Sequence, residues 1–238
     1  MSPLRLLQLP VLPVVAFAVA GCAHVADRPK TKDLDAPEVS VALAFLPDQP
    51  DAYEVGRPLP LVCSRAYPAN GGLKGRPNLQ LMWENYIHYR PGGVWGEVGG
   101  LVAVNGRLAP EHGGWANACT VRLSHMLNRA GHVLPTIKGQ TVTGAQGDNY
   151  FFRLLDAEAY LTKTFGKPDM EWRDGTGWEA ELPNHPGLAL MLYYGSDATG
   201  HATVWNGAGT VDGTGVGGRD VLFWTLPCFV PDRRKPIG

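Results

Sequence analysis

Asn117-Ala118-Cys119-Thr120-Val121-Arg122-Leu123-Ser124-His125-Met126-Leu127-Asn128-Arg129-Ala130-Gly131 decides the fold, read together with Gly200-His201-Ala202-Thr203-Val204-Trp205-Asn206-Gly207 downstream. In the first stretch Asn117 is a polar cap, apolar residues follow at helical spacing, and Gly131 stands where such a helix ends. Cys119, Leu123, Met126, Leu127 and Ala130 share one face, so the thiol is expected to point into the packed interior or a cleft in it. Cys119 lies in the first turn. There the unpaired backbone N–H groups and the positive end of the helix dipole favour thiolate over thiol, lowering a pKa that is otherwise about 8.5. In the second stretch the alternation of a strand puts His201, Thr203 and Trp205 on one face and Ala202, Val204 and Asn206 on the other. His201 opens that strand. A histidine there can present one ring nitrogen to a thiol if a carboxylate or amide fixes its other nitrogen. Asp212 is the candidate, because the Asn206-Gly207-Ala208-Gly209 turn lets the chain double back beside His201. Each part has a plain alternative: a helical cysteine is often a small buried hydrophobe, and a histidine at a strand end is often a satisfied core or surface residue.

Outward from these two stretches, Leu79 to Tyr86 reads as a helix, and Val94 to Val104 carries alternating apolar residues with glycines. A second helix is announced by Asp156 as cap, Tyr160, Leu161 and Phe165 as its buried stripe, and Gly166 then Pro168 as its stop, with a strand before it from Tyr150 to Leu155. Gly187 to Tyr194 is an apolar run followed by the Gly195 to Gly200 turn and the His201 to Asn206 strand, a hairpin pattern. Val221 to Leu226 supplies one more strand before Pro227. Helices first and antiparallel strands after them argue an α+β class, with the cysteine helix packed on an antiparallel sheet.

Net charge is −1 and no basic run is long enough to neutralise a series of phosphates, which argues against a nucleic-acid partner. A hydrophobic fraction of 45% with 30 Gly and 20 Pro fits one turn-rich globular domain. Residues 1–21 read as a targeting segment: Arg5 is a positive start, and Leu6 to Ala20 is an apolar run interrupted at Gln8, Pro10 and Pro13. Val19-Ala20-Gly21-Cys22 resembles the lipobox of bacterial lipoproteins, which implies a lipid anchor on Cys22 and, with Ala23 following, an outer-membrane position facing the periplasm. An ordinary cleaved signal or an uncleaved anchor, with Cys22 there by chance, is the alternative. Residues 22–76, rich in Pro, Asp and Gly, read as a tether and extension, with a possible strand from Val39 to Leu46, and 77–238 as the catalytic domain. With Cys22 assigned to lipid and Cys119 to chemistry, Cys63 and Cys228 remain as a candidate disulfide; two separate buried thiols would satisfy the sequence as well.

The cysteine segment through Gly131 resembles the cysteine helix of the fourth family of type VI secretion amidase effectors. Gly200 to Gly207 resembles that family's histidine strand, Asp212 stands at its acidic position, and Tyr160-Leu161-Thr162-Lys163-Thr164-Phe165-Gly166-Lys167-Pro168-Asp169 is similar to its central helix and exit. The resemblance covers roughly residues 77 to 228. It implies a papain-like, NlpC-type α+β fold and a cysteine amidase acting on peptidoglycan stem peptides at the γ-D-glutamyl to meso-diaminopimelate bond. Cys119 would be nucleophile, His201 base and Asp212 its orienting partner, with no cofactor. It further implies an immunity protein as partner if the chain is an injected effector. The lipobox departs from the family pattern and points equally to a resident enzyme remodelling its own cell's wall. Two rivals use the same cleft differently: a silent peptidoglycan-binding lipoprotein, and an acyltransferase.

Weaker signals complete the inventory. His112, His125, His132 and His185 lack zinc-site spacing, and His125 is expected on the solvated face of its helix. The glycines from Gly207 to Gly218 lack the lysine of a phosphate-cradling loop. Trp172, Trp178, Tyr193, Tyr194 and Trp205 read as core before glycan groove. Arg122, Arg129, Lys138 and Arg153 read as helix-surface cations before carboxylate partners for a substrate.

Overall fold

The computed structural model describes residues 63, 73, 75–88, 93–115, 117–173, 186–192, 200–214 and 216–228. The targeting segment, Cys22, most of the tether, and the residues His185, Trp178, Tyr193 and Tyr194 lie outside them. Among the described residues helices come first and the strands of the main sheet last, as the patterning predicts. Helices α1 (Leu79–Glu84), α2 (Gly93–Val98), α3 (Gly100–Arg107) and α4 (Cys119–Arg129) come first, then a hairpin of β1 (Thr141–Thr143) and β2 (Asn149–Phe151). Helix α5 (Leu154–Phe165) follows, and β3 (Met170–Trp172), β4 (Gly187–Leu192), β5 (Gly200–Trp205) and β6 (Asp220–Thr225) form an antiparallel sheet in the order β3-β6-β4-β5.

Several expected boundaries shift for local reasons. The Val94 to Val104 alternation is not a strand: it folds as α2 and α3, broken where Gly99 and Gly100 take φ of +63° and +59°, a region that side chains disfavour. The cap of α4 is Ala118 and not Asn117, with no side-chain capping bond, so Cys119 is the first helical residue and the first-turn amides stay clear of a capping side chain. Asp156 does not cap α5 either. The cap is Arg153, and Asp156 sits in the first turn, where its carboxylate pairs with the Arg153 guanidinium and faces the positive helix end. The expected strand from Tyr150 stops at Phe151, because α5 already begins at Leu154.

Helix α4 is the axis of the domain. Every residue from Cys119 to Asn128 is buried. On one side Cys119, Leu123, Met126, Leu127 and Ala130 pack with Leu79 and Met82 of α1, Leu161 of α5, and Leu190, Ala202, Val204 and Trp224 of the sheet. On the other, Val121 packs with Ile87, Val94, Val98, Val102, Trp115 and Tyr150. Truncating Leu123 or Leu127, which are essentially fully buried, to alanine removes on the order of 2–5 kcal/mol. The helix ends as the glycine predicts: Gly131 N–H donates to Asn128 O and His132 N–H to Leu127 O, closing the last carbonyls.

A helix buried all round must satisfy its polar side chains, and these become its ties to the rest of the domain. Ser124 Oγ donates to Thr120 O at 2.8 Å and accepts from Phe151 N–H at 2.9 Å. Asn128 donates to Asn149 O and accepts from Leu134 N–H. Arg122, expected on the surface, is instead buried and donates through Nε to Ile87 O at 3.0 Å. His125 is also inside, beside Tyr150.

Among the described residues, Cys63 and Arg76 both fasten the extension to the domain. Cys63 and Cys228 form a disulfide with Cα atoms 5.1 Å apart. Arg76 holds Asp169 through two nitrogens and donates to Phe165 O and Thr225 O, tying the approach to α1 to the end of α5 and to β6. Burial pushes the Asp169 carboxyl up, but the Arg76 bonds and charge together with Thr225 N–H bring it below its ordinary value. Among the described residues no helix is long and apolar enough to cross a membrane.

Candidate active site

Strand β5 lies against α4, with Ala202 and Val204 in the core that the cysteine helix shares. Cys119 is 5% exposed and its Sγ lies 3.7 Å from Thr120 Oγ1. The nucleophilic form of a cysteine is the reduced thiolate. The position of Cys119 at the first residue of α4 places that sulfur where backbone N–H groups are unsatisfied by the helix itself.

His201, also 5% exposed, is brought into direct contact with Asp212. Val204 O accepts from Val211 N–H and Trp205 bridges Thr210, so the chain folds back along β5 as the Asn206 turn predicts. Asn206 makes that turn itself, its side chain accepting from Ala208 and Gly209 N–H. The returning segment delivers Asp212 Oδ2 to within 2.7 Å of His201 Nε2. Asp212 is 4% exposed. Burial alone would raise its carboxyl, yet the hydrogen bond and charge of His201 and two bonds from Thr214 outweigh it and bring the value down to about 2. The carboxylate is therefore ionised at any pH at which the protein works, and Nε2 of His201 carries the proton it accepts. The ring then offers Nδ1 as a base.

Asp212 Oδ1 is occupied separately. It accepts the Thr214 hydroxyl at 2.8 Å and Thr214 N–H at 3.2 Å, across Gly213 whose φ of +71° makes the tight turn. Reading the sequence did not single out Thr214. The signal was available in Asp212-Gly213-Thr214, an Asp followed by Gly and a hydroxyl residue two positions on, the pattern of an Asx turn.

The other titratable candidates sort away from this cluster. Arg129 pairs with Asp148 and Arg153 with Asp156. His132 meets Tyr160 at 3.0 Å and Phe165 edge to face. Trp172 is core, packed with Ala189, Met191 and Phe223 on the far face of the sheet, and Trp205 lies against the same cluster. Among the described residues no group of three or more His, Cys, Asp or Glu is placed to hold a metal ion.

A cysteine opening a buried helix, a histidine on an antiparallel strand packed against that helix, and a carboxylate holding the histidine's remote nitrogen define a papain-like cysteine hydrolase of the NlpC kind. Residues 115–224 match the family model of the type VI secretion system (T6SS) amidase effector protein 4, Tae4. Solved structures agree. The effector Tae4 from Salmonella typhimurium, in complex with the immunity protein Tai4 from Enterobacter cloacae, is 28% identical with a TM-score of 0.54, covering 64% of this chain and 100% of its own. The Tae4–Tai4 effector–immunity complex from Enterobacter cloacae is 29% identical with a TM-score of 0.52, covering 63% and 99%. Tae4 from Enterobacter cloacae alone gives 29% and 0.51, covering 63% and 97%. No curated protein sequence matches the chain.

Proposed function

We propose that this chain is a peptidoglycan DL-endopeptidase that hydrolyses the γ-D-glutamyl–meso-diaminopimelate amide of the stem peptide. The observation that carries the reading is the buried His201–Asp212 pair, 2.7 Å apart on the strand that packs against the helix opened by Cys119. His201 takes the proton of the reduced Cys119 thiol, and the thiolate attacks the γ-carbonyl carbon, forming a C–S bond and an oxyanion. Backbone N–H groups at the start of α4, that of Cys119 first, are the natural donors to that oxyanion. Collapse breaks the C–N bond, and His201 gives its proton to the departing diaminopimelate amine. Water then attacks the thioester while His201 takes its proton, releasing the D-glutamyl carboxylate and the thiol. Asp212 holds the imidazole in the required tautomer throughout.

Liquid chromatography and mass spectrometry of sacculi treated with the reduced full chain, and in parallel with Cys119→Ala, tests this. New fragments split between D-glutamate and diaminopimelate are expected in the first sample only. An unchanged pattern with folded protein would replace the hydrolase by a peptidoglycan-binding module.

The similarity to effectors solved with Tai4 supports a cognate immunity protein as partner, and action on a target cell's periplasmic wall. The lipobox-like Val19-Ala20-Gly21-Cys22 favours a second biology for the same chemistry, a resident lipoprotein held at the outer membrane by Cys22 that trims its own cell's wall. Labelled fatty acid incorporated into the protein and lost in Cys22→Ala would select the second. Toxicity confined to recipient cells and relieved by an immunity protein would select the first.

A further inference from the structure

We propose that Thr214 is a positioning residue for the histidine base: its hydroxyl locks the Asp212 carboxylate and keeps the proton of His201 on Nε2. The inference rests on the roles given above to Cys119, His201 and Asp212.

The two oxygens of Asp212 have different partners. Oδ2 faces His201 Nε2 at 2.7 Å, and Oδ1 accepts the Thr214 hydroxyl at 2.8 Å and Thr214 N–H at 3.2 Å. A carboxylate fixed at both ends cannot rotate away from the imidazole. The same hydroxyl oxygen lies 3.3 Å from His201 Nε2. Having given its proton to Asp212, it turns a lone pair towards the ring. Nε2 therefore faces two acceptors, the carboxylate and the hydroxyl oxygen. With the proton on Nε2 both are satisfied; with it on Nδ1, three lone-pair-bearing atoms would crowd together. Thr214 thus selects the tautomer whose Nδ1 can take the thiol proton.

A purely structural reading of Thr214 makes different predictions. The residue is exposed, so valine in its place disturbs no core, and the backbone N–H that holds the Asp212 turn survives any substitution. Only the hydroxyl's contribution is removed. Its loss should cost turnover and leave substrate binding alone.

The experiment compares the reduced full chain with Thr214→Val and Thr214→Ser, measuring stem-peptide hydrolysis between roughly pH 4 and pH 8 and the ring nitrogens of His201 by 15N NMR. Thr214→Val is expected to lower kcat roughly tenfold, the scale of one hydrogen bond to a charged group, at unchanged KM. It should also give mixed His201 tautomers. Thr214→Ser, which keeps the hydroxyl, should stay within about twofold of wild type with Nε2 protonated. A valine variant with unchanged kcat and a single Nε2–H tautomer would overturn the proposal. So would a serine variant no better than valine, or a valine variant that fails to fold. If valine mixes the tautomers while wild type hydrolyses no stem peptide, the role of Thr214 stands and the amidase reading falls.

Discussion

His201 and His125 are both inside the protein, at 5% and 8% exposure, and each ring meets a side-chain oxygen, yet their surroundings prepare them for opposite fates. His125 lies on α4 with Nδ1 3.4 Å from the neutral Tyr150 hydroxyl, a long contact. Burial first, then the charge of Arg129, lowers its pKa, and Glu97 and Asp148 do not restore it. Burial also pushes Tyr150 up to about 12, so that partner never ionises at working pH. His201 faces an ionised carboxylate at 2.7 Å that is itself braced by Thr214. The lesson is that depth does not make a histidine useful: a charged, fixed partner sets which nitrogen holds the proton and stabilises the imidazolium when it forms.

The contrast is sharpest in activity. His201→Ala in the reduced chain should lower stem-peptide kcat by at least about a thousandfold, the scale seen when one member of a catalytic unit is removed. His125→Gln, with its residue equally buried, should stay within a few-fold of wild type. Comparable losses in the two variants would break the distinction.

A smaller effect isolates the partner. Asp212→Asn keeps the shape and removes the charge, so kcat should fall on the order of a hundredfold or more with the fold intact. Stability carries the same signature at low pH. Asp212 has a folded pKa of about 2, below its ordinary value of 3.8. Its contribution is thus fully present above about pH 4 and lost as pH falls through the folded value. Denaturant titrations of the wild type should show this acid sensitivity and those of Asp212→Asn should not. His125 gives the complementary window: its folded pKa is lowered from 6.5, so acid below that point favours the unfolded chain, and His125→Gln should flatten the slope there.

Smallest for chemistry is the covalent tie between Cys63 and Cys228, remote in sequence from the His201–Asp212 pair. Replacing both cysteines by alanine should cost about 2–5 kcal/mol in denaturant unfolding, leaving kcat of the folded protein unchanged. A variant of undiminished stability would show that the tie does not constrain the unfolded chain.

The fold class, the central helix opened by Cys119, the hairpin of β4 and β5 and the contact of His201 with Asp212 were legible in the sequence, because period, turn chemistry and glycine placement act locally. What escaped was set by packing. His125 and Arg122 fall on what periodicity reads as the polar face of α4, but α2 and α3 cover that face, and only the assembled domain shows it. Those two helices were themselves obscured, since Val94 to Val104 reads as alternation until Gly99 and Gly100 break it into two short turns of helix. Ala118 caps α4 where Asn117 promised to, because the chain enters the helix one residue later. Thr214 was passed over as part of a glycine-rich turn, and its meaning depends on where Asp212 lands.

The proposed pairing of Cys119 with His201 is tested most directly by the alkylation rate of Cys119 with iodoacetamide as a function of pH. After reduction it would be read by mass spectrometry on the Cys119 peptide in wild type, His201→Ala and His125→Gln. The expected result is a wild-type midpoint well below the ordinary thiol value of about 8.5, moved back towards it by His201→Ala and left in place by His125→Gln. A midpoint indifferent to His201, or shifted as much by His125, would contradict the assignment of the nucleophile and its base.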